Sequence, residues 1–500
     1  MSRPFVRALL LALGFAAIAG ARAEETAAPV PAAPPLTLEE CIARALQRNF
    51  TLKIQDFSTD IARESLNAAK AAFEPTFTAT ATRAVSQQST STSTLDGAPT
   101  IGPRSDTTDT RLGVSQPITT GATLGLSTSL DRRATNSTFS TLNPAYNSDV
   151  ALTVSQPLLK GAGTAVNRAA IERTQLGVSI ATLDFESQVL QVVRDTEAAY
   201  YNLVFAREQK LVKEHSLELA QQLYDENKNR KAAGVATDLD VLSAEVGVAN
   251  ARNGVLTAEQ TVRDNEDQLI ALIGQFEFDT PLGDVRLPAD VDPAPSFDLS
   301  YKLARDNQPD FLATRASIQQ LEIDANTAKN SRLPSLDLGG ALGFNGTDRT
   351  YGTAMTRVKD ADGYNWEVDL SLSVPWGLHA GRARYRSAQA SLRQQQARLQ
   401  QVEQNLLVQV RAGVRAVETS RQSVAIFGQA TQLAEKQYEL ELARFKAGLS
   451  TSRQVLQTQD DLEAARLNEL QARIDLRIAY ANLHQLETSS LSRYHIALAE

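Results

Sequence analysis

The sequence predicts an α+β membrane-type fold in which antiparallel strand sets of barrel pattern feed very long α-helical coiled-coil hairpins, the whole plan being present twice in one chain. Three observations predict it: internal correspondences at constant offsets, runs alternating with period two, and helical periodicity sustained over some sixty residues after each run.

The duplication is carried by two offsets. At 259, Ala45 matches Ala304, Ala69-Lys70 match Ala328-Lys329, and Pro75 matches Pro334. At 214, Arg168-Ala169 match Arg382-Ala383, Tyr224 matches Tyr438, Arg230 matches Arg444, Gly234 matches Gly448, Thr237 matches Thr451, and Val241-Leu242 match Val455-Leu456. The offsets differ by 45, so the first copy holds 45 more residues between its strand-initiating proline and its helix-initiating arginine. That extra length has its own echo: LGVSQPITTG from Leu112 recurs 40 residues later as LTVSQPLLKG.

Taken in order, residues 1–23 carry a basic start (Arg3, Arg7), an apolar stretch and Ala21-Arg22-Ala23, the pattern of a secretory signal peptide. The apolar stretch is shorter than the roughly 20 residues a spanning helix needs. Residues 24–35 form a Pro/Ala-rich leader. Short helices are expected over 36–74, and barrel-type strands with loops over 75–160. There Val150, Leu152 and Val154 alternate with polar residues, and the Ser/Thr-rich stretches Ser86 to Gly102 and Arg132 to Asp149 look like long loops.

Residues 161–275 form the first long hairpin, with Leu183, Leu190, Val193, Tyr200, Val204 and Leu211 at helical spacing. A linker follows over 276–296, then an equatorial helix over 297–333 and strands over 334–376. In that strand set Trp366, Val368, Leu370, Leu372 and Val374 alternate with Glu367, Asp369, Ser371 and Ser373. The second hairpin occupies 377–487, leaving 488–500 as a tail. The outgoing helix of each hairpin, some 60 residues, is ~90–100 Å long, and the seven-residue apolar spacing indicates coiled-coil packing. The chain reverses at KAAGVATDL and KAGLSTSRQ, where Gly234 or Gly448 ends one helix and Thr237 or Thr451 caps the next.

Alternation of this kind fits a transmembrane barrel or an ordinary secreted β-sandwich equally well. A net charge of −8 with mixed signs leaves no basic footprint for nucleic acid. His215, His379, His484 and His495 are scattered without metal-ligand spacing, and no catalytic set can be assembled. GAGTAVNR after Lys160 lacks the Gly-Lys-Ser/Thr ending of a phosphate loop. No cofactor, metal or enzymatic activity is expected, and the single Cys41 is expected to be a buried helix residue.

In this order, twice, the motifs LTLEECIARALQRN, SQPLLKGAGTAVNRAAI, SVPWGLHAGRARY, AAGVATDLDVLSAE and KAGLSTSRQVLQTQ resemble the TolC family of outer-membrane efflux and type I secretion proteins. The resemblance runs from Leu36 to Leu486. It implies a homotrimer sharing one barrel and one tunnel in outer-membrane lipid, gated by a periplasmic adaptor and energised by an inner-membrane pump or ABC exporter. Two rivals, a periplasmic adaptor and a soluble coiled-coil scaffold, account less well for two hairpins plus amphipathic strands.

The resemblance further implies a narrowing at the tips, with Asp240, and Asp238 beside it, as a carboxylate ring; helix capping is the plain alternative for both. In the second copy Gln454 and Gln457 stand where the family has aspartates, so cation attraction there would be weak. Arg230 and Arg444 are candidates for inter-hairpin pairs or adaptor contacts, or are ordinary solvated charges. Pro157, Gly161 and Arg168, with Pro375, Gly381 and Arg382, mark the strand-to-helix junctions. The 45 extra residues make either four strands in the first copy, hence 18 in a trimer, or elaborated loops on the family's 12.

Overall fold

Thr37 caps the first helix by accepting from the Glu40 N–H at 3.2 Å, and Asn49 caps the second through Thr51 and Leu52. These are α1 (Leu38–Arg48) and α2 (Phe50–Ala71). A computed structural model describes residues 36–91, 102–274, 282–288 and 293–496. The expected signal segment and leader lie outside the described residues, as do parts of the 276–296 linker and of the tail.

Six strands follow the two copies' short helices: β1 (Thr76–Gln87), β2 (Arg104–Pro117), β3 (Thr123–Thr135), β4 (Ala145–Pro157), β5 (Ser335–Asp348) and β6 (Gly363–Ser373). They form one antiparallel sheet in sequence order β1-β2-β3-β4-β5-β6. The extra residues of the first copy are therefore strands, and the elaborated-loop alternative is corrected. Of the stretches expected as loops, the strands take in both ends of Arg132 to Asp149 and the start of Ser86 to Gly102. Ser and Thr serve there as cross-strand partners, as where Ser129 Oγ donates to Asp149 Oδ1 at 2.7 Å.

Register fixes the faces. Phe77, Val114, Leu126, Leu152, Leu342 and Trp366 fall on one face through consecutive pairings, and Thr78, Gly113, Ser127, Ala151, Gly343 and Asn365 on the other. Along β5 the apolar band runs from Leu336 to Phe344, a rise of ~20 Å at a tilt of ~40° that approaches the ~25 Å band of a barrel in lipid.

The remaining elements are α3 (Thr164–Asn167), α4 (Ala169–Ala232), α5 (Asp238–Leu272), α6 (Phe297–Asn307), α7 (Pro309–Asn330), α8 (Tyr351–Lys359), α9 (His379–Lys446), α10 (Ser452–Glu487) and α11 (Ser489–Arg493). The single equatorial helix expected over 297–333 is two, α6 and α7, because Pro309 lacks an N–H and takes the first position of a new helix. The short helix α8 between β5 and β6 was not expected from the sequence. It lies against β4 and β5, where Gly346 leaves room: a Cβ there would sit 2.3 Å from the Ala354 carbonyl oxygen.

No helix among the described residues is long and apolar enough to cross a membrane, which says nothing of a barrel. The helices assemble into four columns. Two are the uninterrupted α4, of 64 residues, and α9, of 68. A third is α5 with α2 stacked on its end, where Asn49 Nδ2 donates to the Leu272 carbonyl at 3.0 Å. The fourth is α10 with α7, whose Gln308-Pro309 start lines one cavity with Gln485 and Leu486. Neighbour contacts give the order α5/α2, α4, α10/α7, α9.

The main core lies at the equator, where α1 places Cys41, Ile42 and Ala45 against Val193, Tyr200 and Leu203 of α4 and Leu269 of α5. Its copy packs Ala304 of α6 against Val410, Val414 and Leu483. Cys41 is fully buried, as expected, and burial pushes its thiol up to about 12.

Candidate functional site

Both tips are built by one local rule. Gly234 has φ +74° and Gly448 φ +78°, the left-handed conformation that ends a helix. The following N–H reaches back in each case: Val235 to the Arg230 carbonyl at 2.9 Å, and Leu449 to the Arg444 carbonyl at 2.8 Å. Thr237 and Thr451 then open the return helices through capping boxes closed by Asp240 and Gln454. Asp240 and Gln454 thus occupy one duplicated position with one local job.

Asp240 Oδ2 accepts from the Thr237 N–H at 2.9 Å and from its hydroxyl at 2.7 Å. The Thr237 hydroxyl first, then its N–H, holds the Asp240 carboxyl below the usual carboxylate range. Asp238 pairs with Lys231 across the turn. Gln457 Nε2 donates to Asp461 one turn on, at 3.2 Å.

The duplicated arginines have diverged. Arg230 crosses to the other hairpin, its Nη1 donating to the Phe445 carbonyl at 3.0 Å while its guanidinium stacks 4.5 Å over the Phe445 ring. Arg444 stays on its own helix, donating to Glu441 at 3.0 Å. Sequence reasoning missed the other links between hairpins. Asn227 Nδ2 donates to Ser452 Oγ at 3.0 Å, Gln459 Nε2 to the Ser216 carbonyl at 2.9 Å, and Lys213 pairs with Glu463. Asn227 and Gln459 are both buried. A polar residue at an inward helical position was the available signal.

At the first junction Pro157 ends β4 and Gly161 (φ +82°) turns toward α3. The Gly161 N–H donates to Asn330 Oδ1 at 2.7 Å, and its carbonyl accepts from Asn167 Nδ2 at 2.8 Å. Arg168 is the residue before α4. In the second copy, after Pro375, the turn is made by Gly377 (φ +85°) and Leu378 (φ +52°). Gly381 lies inside α9, where a Cβ would come 3.0 Å from Arg332 Cα and the Ser331 carbonyl. It serves close approach of α9 to the end of α7, while the Arg382 N–H begins the intrahelical ladder by donating to the Leu378 carbonyl at 3.1 Å. Among the described residues no group of His, Cys, Asp and Glu could hold a metal ion.

Two long hairpins, each fed by strands of one amphipathic sheet, match a known profile in sequence as well as in form. The profile of the family described as outer membrane efflux protein matches residues 121–275 and 300–487. The chain belongs to this family. Similar curated proteins include the pyoverdine export outer membrane protein OpmQ of Pseudomonas aeruginosa, 26% identical over 67% of this chain and 69% of that protein. The outer membrane protein TolC of Escherichia coli is 21% identical over 64% and 67%. Among solved structures, the Campylobacter jejuni CmeC outer membrane channel aligns over 92% of this chain and 90% of its own, with TM-score 0.68 at 16% identity. CusC aligns over 93% and 98% with the same TM-score at 14% identity. The family resemblance seen in the motifs is borne out, and so is the fold of helical tunnel and antiparallel strands. The protein is an outer-membrane efflux channel, a conduit and not an enzyme.

Proposed function

We propose that three copies close side by side into one exit duct, gated at the hairpin tips by a periplasmic adaptor and driven by an inner-membrane pump or ABC exporter. The observation that carries this reading is that, among the described residues, both lateral sides of the protomer present an open strand edge and exposed apolar stripes.

In the sheet, β1 and β6 are edge strands exposed along nearly their full length. An unpaired strand edge in hydrocarbon leaves each outward N–H and C=O unsatisfied at several kcal/mol apiece, so closure is required. An even number of alternating strands makes β6 of one copy antiparallel to β1 of the next. In the helices, the same two edges carry exposed apolar stripes. The α5/α2 column has Leu239, Leu242 and Val246 below and Phe50, Ile54, Phe57 and Ile61 above. The α9 column has Ile426, Leu433 and Leu440, seven residues apart and 63–67% exposed. Stripes of this spacing suit coiled-coil neighbours. Joining α9 to the next copy's α5/α2 is a head-to-tail contact that closes into a ring.

At the tips, Val235 and Leu449 are duplicated, exposed apolar residues at the reach of an adaptor. The Arg230–Phe445 and Asn227–Ser452 links hold the two hairpins of a protomer together. The cap keeps Asp240 ionised at physiological pH, as a cation-attracting ring of carboxylates at the mouth requires.

The trimer is tested by pairing Ala79→Cys with Leu370→Cys on the two sheet edges, which are ~5 Å apart if the copies pair in outward-facing register. Oxidation should give a ladder of covalent species ending at three chains; shifting one cysteine by two residues covers a register slip. A ladder that stops at two, or none in any register, would overturn the arrangement. For the gate, Asp240→Cys bridged between copies by a bifunctional thiol reagent should abolish export. Undiminished export would sink the gating idea.

A further inference from the structure

Each strand of the sheet can be traced to the helix column it serves. The helix α2 runs into β1, β4 leads into α4, α7 runs into β5, and β6 leads into α9. Those four strands alone would supply one strand per helix column. The remaining pair, β2 and β3, serves no column. It is a hairpin inserted between β1 and β4, and the sequence echo shows its construction: β2 and β4 both end in Val-Ser-Gln-Pro, at Pro117 and Pro157. After Pro157 the chain enters the helices. After Pro117 it turns back, with the Ile118 N–H donating to the Ala122 carbonyl at 2.7 Å and Gly121 at φ +94°. The hairpin is fully in register on both sides, with β2 paired to β1 from Thr76↔Ser115 to Gln87↔Arg104 and β3 to β4 from Thr123↔Ser155 to Arg133↔Ala145. It therefore widens the sheet instead of lying over it.

We infer that this hairpin makes the barrel an 18-stranded one, matched in circumference to the helical tunnel, so that the outer-membrane stage is not the size filter of the duct. The inference rests on the trimer proposed above. Eighteen strands spaced ~4.8 Å apart and tilted ~40° make a circumference of ~113 Å, or a backbone diameter of ~36 Å. Twelve helix columns, four from each copy, packed at ~9–10 Å make ~108–120 Å. The two walls agree, and each copy spans the same third of the ring in both. At the same tilt twelve strands would make only ~75 Å, a backbone diameter of ~24 Å. With ~5 Å of side chain on each side, the clear bore is ~26 Å for eighteen strands and ~14 Å for twelve.

A bore of ~26 Å passes a cargo as wide as two packed α-helices, each ~10–12 Å across. It therefore sets no steric bar to polypeptide in helical or extended form.

The full-length protein in detergent is imaged by electron cryo-microscopy for strand number and diameter. In planar bilayers, neutral polyethylene glycols of graded size are added on the extracellular side, and those that enter the barrel are read from the change in channel noise and conductance. The expected result is eighteen strands and entry of polymers up to a hydrodynamic radius of ~12–13 Å. A three-copy ring of twelve strands, or a polymer cut-off near ~7 Å, overturns the wide bore while leaving the trimer standing. A native mass other than three chains overturns the trimer itself. A second variant deletes residues 118–157, joining Pro117 to Leu158 across the echo. It should lower the polymer cut-off toward that smaller value, and a folded variant with an unchanged cut-off also counts against the inference.

Discussion

Replacing Arg230 with alanine probes the link between hairpins most directly. Arg230 loses a charged hydrogen bond to the Phe445 carbonyl, at 3.0 Å, and a stacked guanidinium 4.5 Å above the Phe445 ring. A hydrogen bond from a charged donor is worth ~1.5–3 kcal/mol and the stacking ~0.5–1 kcal/mol. Because Arg230 is partly exposed, the lower ends of these ranges apply. Their combination, ~2 kcal/mol, corresponds to a ~30-fold rise in the local opening equilibrium of the second tip. The loss falls on the turn from 446 to 451, whose amides close back on the end of α9.

Amide hydrogen exchange of that turn, in the assembled protein, should accelerate ~30-fold in Arg230→Ala, with amides near the equatorial core unchanged. Arg230→Lys keeps the charge but not the planar fork and should fall between the two. Arg444→Ala, which removes only a pair within α9, should leave the first tip's exchange unaltered. Equal protection in wild type and Arg230→Ala would refute the argument that this residue ties the hairpins together.

Other perturbations read other parts of the chain. Gly121→Ala forces a side chain at φ +94° and places its Cβ 2.5 Å from the Gly161 carbonyl, so it should cost more than the ~1–2 kcal/mol of left-handed backbone strain; the yield of detergent-resistant oligomer checks this. The Asp240 carboxyl has a folded pKa below its unfolded value. Its contribution to the tip is therefore complete above the ordinary carboxylate range and is lost as pH falls through the depressed value. Amides at the start of α5 should lose protection only in strong acid, and Asp240→Asn should flatten that dependence. Cys41, buried and with its thiol pushed up to about 12, should resist alkylation of the folded protein at pH 8 and react on unfolding. Rapid labelling in the native state would contradict the equatorial packing.

Much of this molecule was legible in the sequence because its information is local and periodic. Period-two alternation placed Trp366 to Leu372 on a strand, seven-residue spacing predicted the long helices, and Gly234, Thr237, Gly448 and Thr451 marked both reversals. These are properties of a few consecutive residues, and burial on one face enforces them. The duplication added a second copy of each signal.

What only the tertiary structure decided depends on which surfaces meet. The Arg132 to Asp149 stretch, which reads as a loop by composition, is strand at both ends because β3 and β4 pair there. Arg230 and Arg444 are the same residue in the repeat, yet Arg230 reaches the Phe445 carbonyl and ring of the other hairpin while Arg444 turns to Glu441 on its own helix. In sequence Asp240 could be a ring carboxylate or a helix cap, and the geometry places it in the capping box of Thr237. The sequence by itself determined the strand sets, the long helices, their order and the double plan. The tertiary structure decided that the extra 45 residues widen the sheet, since strand pairing is a long-range choice that no local period encodes.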